Sequence, residues 1–206
     1  MRSDRLVPLW VGIAAIAISG LWAAEEHGGA KGGEKTAKTR LLEAGAEVLQ
    51  GEGPINDIHA HVCGFHFYAG DLSRQVRADH YCGHVNEEVM QCVIYESDQK
   101  GARLIGIEYI ISEELFKTLP EEEKRLWHSH RHEVMSGQLV APGLPEIAEK
   151  ELMKKLVNTY GKTCHTWQVD RGDKLPLGLP KLMMGFTADG QARPELVRKR
   201  DRDLGI

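Results

Sequence analysis

Residues 102–111, with the sequence ARLIGIEYII, constrain the fold most, because they carry the strongest strand signal in the chain. Their apolar run is interrupted by one acidic residue, Glu108. Three earlier stretches, 58–68, 75–84 and 88–95, are also typical of extended chain, the first being rich in β-branched, aromatic and histidine residues. Further extended segments are predicted at 130–140, 163–169 and 182–186. The sequence therefore predicts a sheet at the centre of the fold.

Helical patterns occupy the remaining ordered segments. Residues 39–49 favour a short amphipathic helix, and residues 145–160 favour a longer one. Ser112 is a suitable N-cap for a helix that Pro120 divides into two short ones. A run of strands followed by helices between strands predicts an α+β fold, with a mostly antiparallel sheet and helices packed on one side.

The first 24 residues resemble a targeting segment. Arg2 and Arg5 precede an uncharged apolar run over residues 6–24, which is the layout of a secretory signal peptide. The run is also long enough to remain as a single membrane anchor. We predict export with cleavage, hence a periplasmic or secreted protein, with a membrane-anchored protein as the alternative. The remaining chain is divided into a linker with a short helix (25–53), a single domain (54–189) and a charged tail (190–206).

Composition narrows the classes of function. The formal net charge is −4 at pH 7, and no basic stripe interleaved with aromatic residues is present, which excludes a typical nucleic-acid-binding surface. No nucleophile elbow, phosphate-binding loop or dinucleotide fingerprint occurs. In an oxidising compartment the four cysteines would favour disulfides, and their pairing stays open among three combinations. These cysteines are Cys63, Cys82, Cys92 and Cys164.

Histidines are concentrated in one part of the chain, since nine of the ten lie between His59 and His165. Histidine is the commonest metal ligand, so this clustering indicates a possible site. His80, Cys82 and His84 alternate along a predicted strand and share one face, but they span about 13 Å, so a pair binds one ion more easily than all three. The alternative is a polar sheet face with Cys82 in a disulfide.

A second group, His128 and His130, follows the predicted helices. Two histidines at this spacing in extended chain can face one ion; alternatively, they meet the negative end of the helix dipole. His66 is flanked by aromatic residues, which favours a packed core histidine.

Glu108 is the carboxylate that most strongly indicates a functional site. A single acidic side chain in an apolar strand requires a positively charged partner or a metal ion to offset its desolvation. That partner is either a metal ion shared with histidines or an arginine, with Arg74, Arg77 and Arg103 as candidates. Zinc or iron would suit imidazole and carboxylate ligands. The predicted metal-ligating set is His61, His80, Cys82, His84, Glu108, His128 and His130.

Several stretches resemble the oil-body-associated protein family, a domain of unknown function. They are HVCGFHFYAGD, RQVRADHYCGHVNEEVMQC, ARLIGIEYIISEELFKTLPEEEKRLWHSH, TWQVDRGDKLPLG and PKLMM, and together they cover most of residues 59–186. The resemblance implies an association with seed oil bodies, and it assigns no catalytic residue. Asp79 departs from the family pattern, where a histidine is expected.

Two hypotheses of different class follow. The first is an exported, bacterial-type family member that binds lipid, a membrane surface or another protein, which predicts an exposed apolar patch on the 39–49 helix or near the tryptophans. The second is a histidine-rich protein with a mononuclear metal site, structural or catalytic, which predicts imidazoles converging in a pocket. The sequence does not decide whether the protein is an enzyme.

Overall fold

A computed structural model describes residues 34–50 and 53–206. The predicted signal peptide at residues 1–24 lies outside this described part. The strands are β1 (Ala60–Tyr68), β2 (Asp71–His84), β3 (Val89–Tyr95), β4 (Leu104–Ser112), β5 (His128–Ser129), β6 (Thr159–His165) and β7 (Lys181–Met184). The helices are α1 (Ala37–Leu49), α2 (Glu113–Thr118), α3 (Glu121–Lys124), α4 (Arg131–Met135), α5 (Glu146–Leu156) and α6 (Pro194–Leu204).

Six of the strands form a closed antiparallel barrel. They are hydrogen-bonded in the order β4-β3-β2-β1-β7-β6, and β6 then pairs with β4 to close the circle. The short strand β5 adds to β6, where His128 is opposite Gly161. The predicted α+β fold with helices packed on one side is therefore wrong. β4 has partners on both sides, and the described helices are short and mostly exposed rather than a layer over a sheet.

The barrel interior contains a polar layer between two apolar ends. Because side chains alternate along a strand, Val62, His66 and Tyr68 of β1 share the inner face. Val62 belongs to one apolar cluster and Tyr68 to another, so His66 lies between them. The same order recurs on β2, where His80 lies between Ala78 and Cys82. On β4, Glu108 lies between Ile105 and Ile110. Three strands therefore place a polar residue at the same level of the barrel.

The outer face of β1 and β2 is covered by α6, in the segment predicted to be a charged tail. Arg200 is only 2% exposed, and its guanidinium lies 4.8 Å from the ring centroid of Phe65. The same group donates hydrogen bonds to the backbone carbonyls of Gln138 at 2.8 Å and Cys63 at 3.4 Å. Arg200 thus ties the last helix to the barrel wall through both packing and polar contacts.

Replacing Arg200 by alanine is expected to lower the free energy of unfolding by about 2 kcal/mol, because it removes a buried stacking group and leaves buried carbonyls without donors. Urea denaturation followed by circular dichroism measures this change. Arg198, an exposed residue of the same helix, supplies the control variant Arg198→Ala, which should change stability by less than about 0.5 kcal/mol. Equal effects of the two substitutions would contradict a role for α6 in the barrel wall.

Most element predictions agree in kind with the structure and differ in their ends. Two segments are exceptions. Residues 130–140, predicted as extended, contain α4 (Arg131–Met135) and an isolated bridge from Val140 to Cys63, and residues 190–206, predicted as a charged tail, contain α6 (Pro194–Leu204). Within the described ranges, every helix is too short or too polar to cross a lipid bilayer.

Candidate functional site

Glu108 is at the centre of the polar layer in the barrel. It is 1% exposed, and four histidines surround its carboxylate. Oε2 lies 2.7 Å from Nε2 of His80 and 3.9 Å from Nε2 of His66. Oε1 lies 3.2 Å from Nε2 of His130 and 3.5 Å from Nε2 of His128. Strands β1, β2, β4 and β5 and the residue after β5 therefore direct five ligand-type side chains at one point.

These contacts form two groups of atoms with metal-ligand spacing. One contains His66, His80 and Glu108, and the other contains Glu108, His128 and His130. Within each group the ligand atoms all lie within 4.8 Å of one another, and all five residues are buried. Glu108 is common to both groups, so its two oxygens join them.

In two of the histidines, His130 and His66, the ring nitrogen that faces away from Glu108 forms a hydrogen bond. Nδ1 of His130 lies 2.8 Å from Oγ1 of Thr159, and Nδ1 of His66 lies 3.2 Å from Nε2 of His165. Among the described residues, both ring nitrogens of His80 and of His128 are buried without a hydrogen-bond partner. Buried polar atoms are nearly always paired, so these four nitrogens need an explanation.

Burial and mutual repulsion determine the charges in the layer. Burial, aided by the neighbouring histidines, lowers the pKa of His66 well below its usual value. Burial likewise lowers the pKa of His128 and that of His165 to about 3. Burial alone would raise the pKa of Glu108, but attraction to His80 and the hydrogen bond with His130 outweigh it and hold that pKa well below the usual range. The site therefore combines an ionised carboxylate at Glu108 with neutral imidazoles at His66, His128 and His165.

A second carboxyl group, that of Glu133 on α4, lines the same cavity. This cavity of about 20 Å³ is large enough for one water molecule or ion, and Val62, Ile110, Leu139 and Leu156 supply its apolar wall. Glu133 is 3% exposed, and burial followed by the charge of Glu108 raises its pKa well above the usual value. Burial therefore favours the protonated form of Glu133, and that form can donate a hydrogen bond inside the cavity.

The structure separates the predicted metal ligands into two sets. His80, Glu108, His128 and His130 meet in the barrel. His61 instead lies on the outer side of β1, where Nε2 is 3.0 Å from Oδ1 of Asp79 and the ring stacks on Tyr81. Cys82 is bonded to Cys92 in a disulfide between β2 and β3, so its sulfur is not free to bind a metal. His84 is exposed at the end of β2, with Nδ1 3.3 Å from the carbonyl oxygen of Asn86. These three residues do not join the cluster.

The alternative partners considered for Glu108 are all engaged elsewhere. Arg74 pairs with Asp170, Arg77 with Asp79, and Arg103 with Glu96. The arginine alternative for Glu108 is therefore wrong.

Sequence reasoning missed three members of the layer: His66, His165 and Glu133. His66 was treated as a packed core histidine, and it is indeed 2% exposed, but its Nε2 faces Glu108. The alternation of side chains along β1 could have placed His66 inside the barrel, because residues 62 and 66 are four positions apart and share the inner face. His165 is opposite Gly106 of β4, a pairing that cannot be read from either segment alone.

A separate feature of the surface is the apolar face of α1. Leu41, Leu42, Val48 and Leu49 are between 63% and 84% exposed, and none of the residues of α1 is buried. Their spacing places them on one side of the helix. Shortly after this helix, Ile55 lines an apolar groove of about 490 Å³ on the outer barrel wall, together with Ile58, Tyr81, Val93, Tyr95 and Leu104. The exposed apolar patch expected near residues 39–49 is present.

Two of the tryptophans do not form such a patch. Trp127 and Trp167 are half-buried and donate hydrogen bonds to Glu123 and Asp173.

Comparison with known proteins gives one family. The model of a family described as "Protein of unknown function (DUF1264)" matches residues 52–206. Oil body-associated protein 1A of Zea mays is 52% identical over 168 residues, which cover 82% of this chain and 71% of that protein. Oil body-associated protein 1B of Arabidopsis thaliana is 50% identical, over 82% of this chain and 70% of its own length. Oil body-associated protein 2C of Arabidopsis thaliana is 48% identical over 177 residues, 85% of this chain and 75% of that protein. No solved structure matches the chain significantly.

These relatives correct one expectation. They are plant proteins whose names refer to oil bodies, which points to lipid droplets. The predicted periplasmic or secreted localisation is therefore wrong, and these plant relatives give no support for an exported bacterial-type protein. The comparisons confirm the resemblance to oil-body-associated proteins that the sequence motifs indicated.

Proposed function

This chain belongs to the DUF1264 family of proteins of unknown function, and from that membership we propose that it binds the surface of a lipid body through the apolar face of α1. The observation that carries the proposal is the exposure of Leu41, Leu42, Val48 and Leu49 on one side of a helix. The names of the plant relatives, which place them with oil bodies, support the same partner. No reaction is part of this proposal.

The physical basis is the transfer of apolar side chains out of water. Burying one leucine or valine side chain contributes about 1.5–3 kcal/mol, so four of them supply enough free energy to hold a helix in a lipid interface. Glu43 and Glu47 occupy the opposite side of α1 and would remain in water. The groove that begins at Ile55 offers a second apolar surface a few residues further along the chain.

The test is flotation of the full-length protein with artificial droplets of triacylglycerol coated with phospholipid. The wild-type protein should float with the droplets, and the double substitution Leu42→Glu and Val48→Glu should weaken binding on the order of 100-fold, because two buried contacts become charged. Circular dichroism of both proteins shows whether the barrel is intact.

The matched control is Glu43→Ala with Glu47→Ala on the polar side of the same helix, which should float like the wild type. Failure of the wild-type protein to float would contradict lipid binding. Flotation that survives the Leu42 and Val48 substitutions would contradict the role of α1 and direct attention to the groove around Tyr81 and Leu104.

A further inference from the structure

We propose that the interior of the barrel binds one divalent transition-metal ion at Glu108, whose carboxylate is shared by the ligand group of His66 and His80 and the ligand group of His128 and His130. This inference is independent of the proposed lipid binding, since it rests on buried residues that the surface of α1 does not include.

The hydrogen bonds behind His130 determine which of its nitrogens carries the proton. Oγ1 of Thr159 donates its own hydrogen to the carbonyl oxygen of Leu156 at 2.7 Å, so it accepts from Nδ1 of His130. A neutral imidazole has one N–H, and Nδ1 uses it. Nε2 of His130 therefore presents a lone pair to Oε1 of Glu108, 3.2 Å away. Two electron-rich atoms facing each other at that distance require a cation, and a proton or a metal ion can supply it.

His80 distinguishes between these two cations. Its Nε2 lies 2.7 Å from Oε2 of Glu108, and neither ring nitrogen of His80 meets the geometry of a hydrogen bond to a described residue. A short approach without hydrogen-bond alignment is what two ligands of the same ion show. His128 supports this conclusion, because both of its nitrogens are also buried and unpaired. Protons can account for one or two of these contacts, whereas a metal ion at Glu108 accounts for the buried, unpaired nitrogens of the ligand group that holds it.

The distances fit a first-row transition metal. Bonds of about 2.0–2.2 Å from nitrogen and oxygen to the metal place neighbouring ligand atoms about 2.9–3.5 Å apart. The separations from Oε1 of Glu108 to His130 and His128, 3.2 and 3.5 Å, lie in this range, whereas those from Oε2 to His80 (2.7 Å) and to His66 (3.9 Å) are slightly shorter and slightly longer. The cavity beside the cluster has the volume of one water molecule, which leaves room for an additional small ligand.

The donor set determines the class of ion. Neutral imidazoles with one carboxylate favour Zn²⁺, Fe²⁺ and their neighbours, whereas Ca²⁺ and Mg²⁺ favour oxygen ligands. One divalent ion with the charge of Glu108 leaves a net charge of about +1 in the buried site, which a second ion would raise to about +3 at a large desolvation cost. The charge therefore favours a single ion, although the cluster contains two overlapping ligand groups. His165 and Thr159 orient His66 and His130 in the way that outer partners of metal-binding histidines do.

The test uses the full-length protein purified without a histidine tag. Elemental analysis should give about one transition-metal ion per chain. After removal of that ion with a chelator, titration with Co²⁺ should produce visible absorption bands that saturate at one equivalent, and Zn²⁺ should displace them. Zn²⁺ should also raise the melting temperature of the metal-free protein, whereas Mg²⁺ should not.

Two variants and a control locate the site. Glu108→Gln and His80→Gln keep the approximate size of the side chain at their sites, and each should weaken Zn²⁺ binding by more than about 100-fold, because losing an outer partner alone costs about 10–100-fold. His84→Gln, an exposed histidine of the same strand as His80, should bind like the wild type. Circular dichroism establishes that each variant is folded.

Several outcomes would overturn the proposal. The absence of metal in the purified protein together with the absence of Co²⁺ bands would refute the site, even if the variants fail to fold. Unchanged binding by folded Glu108→Gln would refute the assigned ligands, and saturation at two equivalents would refute the single ion. None of these results bears on flotation with lipid droplets, so the two proposals fail separately.

Discussion

Replacing Gly161 by alanine is expected to lower the free energy of unfolding by about 3 kcal/mol or more. A β-carbon at this position would lie 1.8 Å from Oε1 of Glu108 and 2.8 Å from Nε2 of His130. Both of those side chains are buried and surrounded, so neither can move without displacing its own neighbours. Urea denaturation at neutral pH measures the loss.

A double-mutant cycle tests whether the clash with Glu108 is the cause. Shortening the carboxylate in Glu108→Ala removes the atom that the new methyl group would meet, so the double variant should be more stable than the sum of the two single effects implies. Gly45→Ala is the control, because Gly45 of α1 has no atom within 4 Å of the new β-carbon. Strict additivity in the cycle would show that Gly161 is needed for a reason other than the space for Glu108.

Acidification is expected to cost the metal-free protein about 3 kcal/mol of stability between pH 6.5 and pH 5. The pKa values of His128 and His165 in the folded protein are about 3, and that of His66 is also lowered, against about 6.5 in an unfolded chain. The unfolded chain therefore takes up protons first, so the stability that neutral histidines provide is present above pH 6.5 and is lost as the pH falls. Glu133 acts in the opposite direction, because its raised pKa favours the folded state on acidification, and it reduces the net loss.

Urea denaturation at several pH values in the presence of a chelator gives this dependence directly. The variant His165→Asn should reduce the slope of stability against pH by about one proton, and His84→Asn, at an exposed position, should leave it unchanged. A stability that does not change between pH 6.5 and pH 5 would show that the buried histidines are already protonated in the folded protein.

Part of the site could be predicted from sequence because two simple rules apply to it. Glu108 in an apolar strand needed a buried partner, and His80, His128 and His130 supplied it. The alternation of side chains along a strand also explains why Val62 and His61 face opposite sides of β1. What failed was the pairing between strands. Cys82 is opposite Cys92 only in the register of β2 with β3, and the residue pattern of either strand alone does not give that register.

The closed barrel was beyond sequence reasoning for a related reason. Every local pattern in β4 is also that of a central strand in an open sheet, since both situations bury alternate residues. Closure depends on β6 pairing with β4 on the side that β3 leaves free. The same ambiguity made short helices such as α2 and α3 look like one layer of an α+β domain, although neither contains a buried residue.

Closure of the barrel also affects how the chain can be completed on the ribosome. Strands β1 to β4 follow one another and can pair as they emerge, but β1 obtains its second neighbour only when Met183 and Met184 of β7 are available. Until then the growing chain is an open sheet with two unpaired edges, the kind of intermediate that is prone to misassembly. Newly made chains therefore depend most on chaperones over the span between β4 and β7, and destabilising substitutions in β6 or β7 should reduce yield more than their effect on the finished barrel implies.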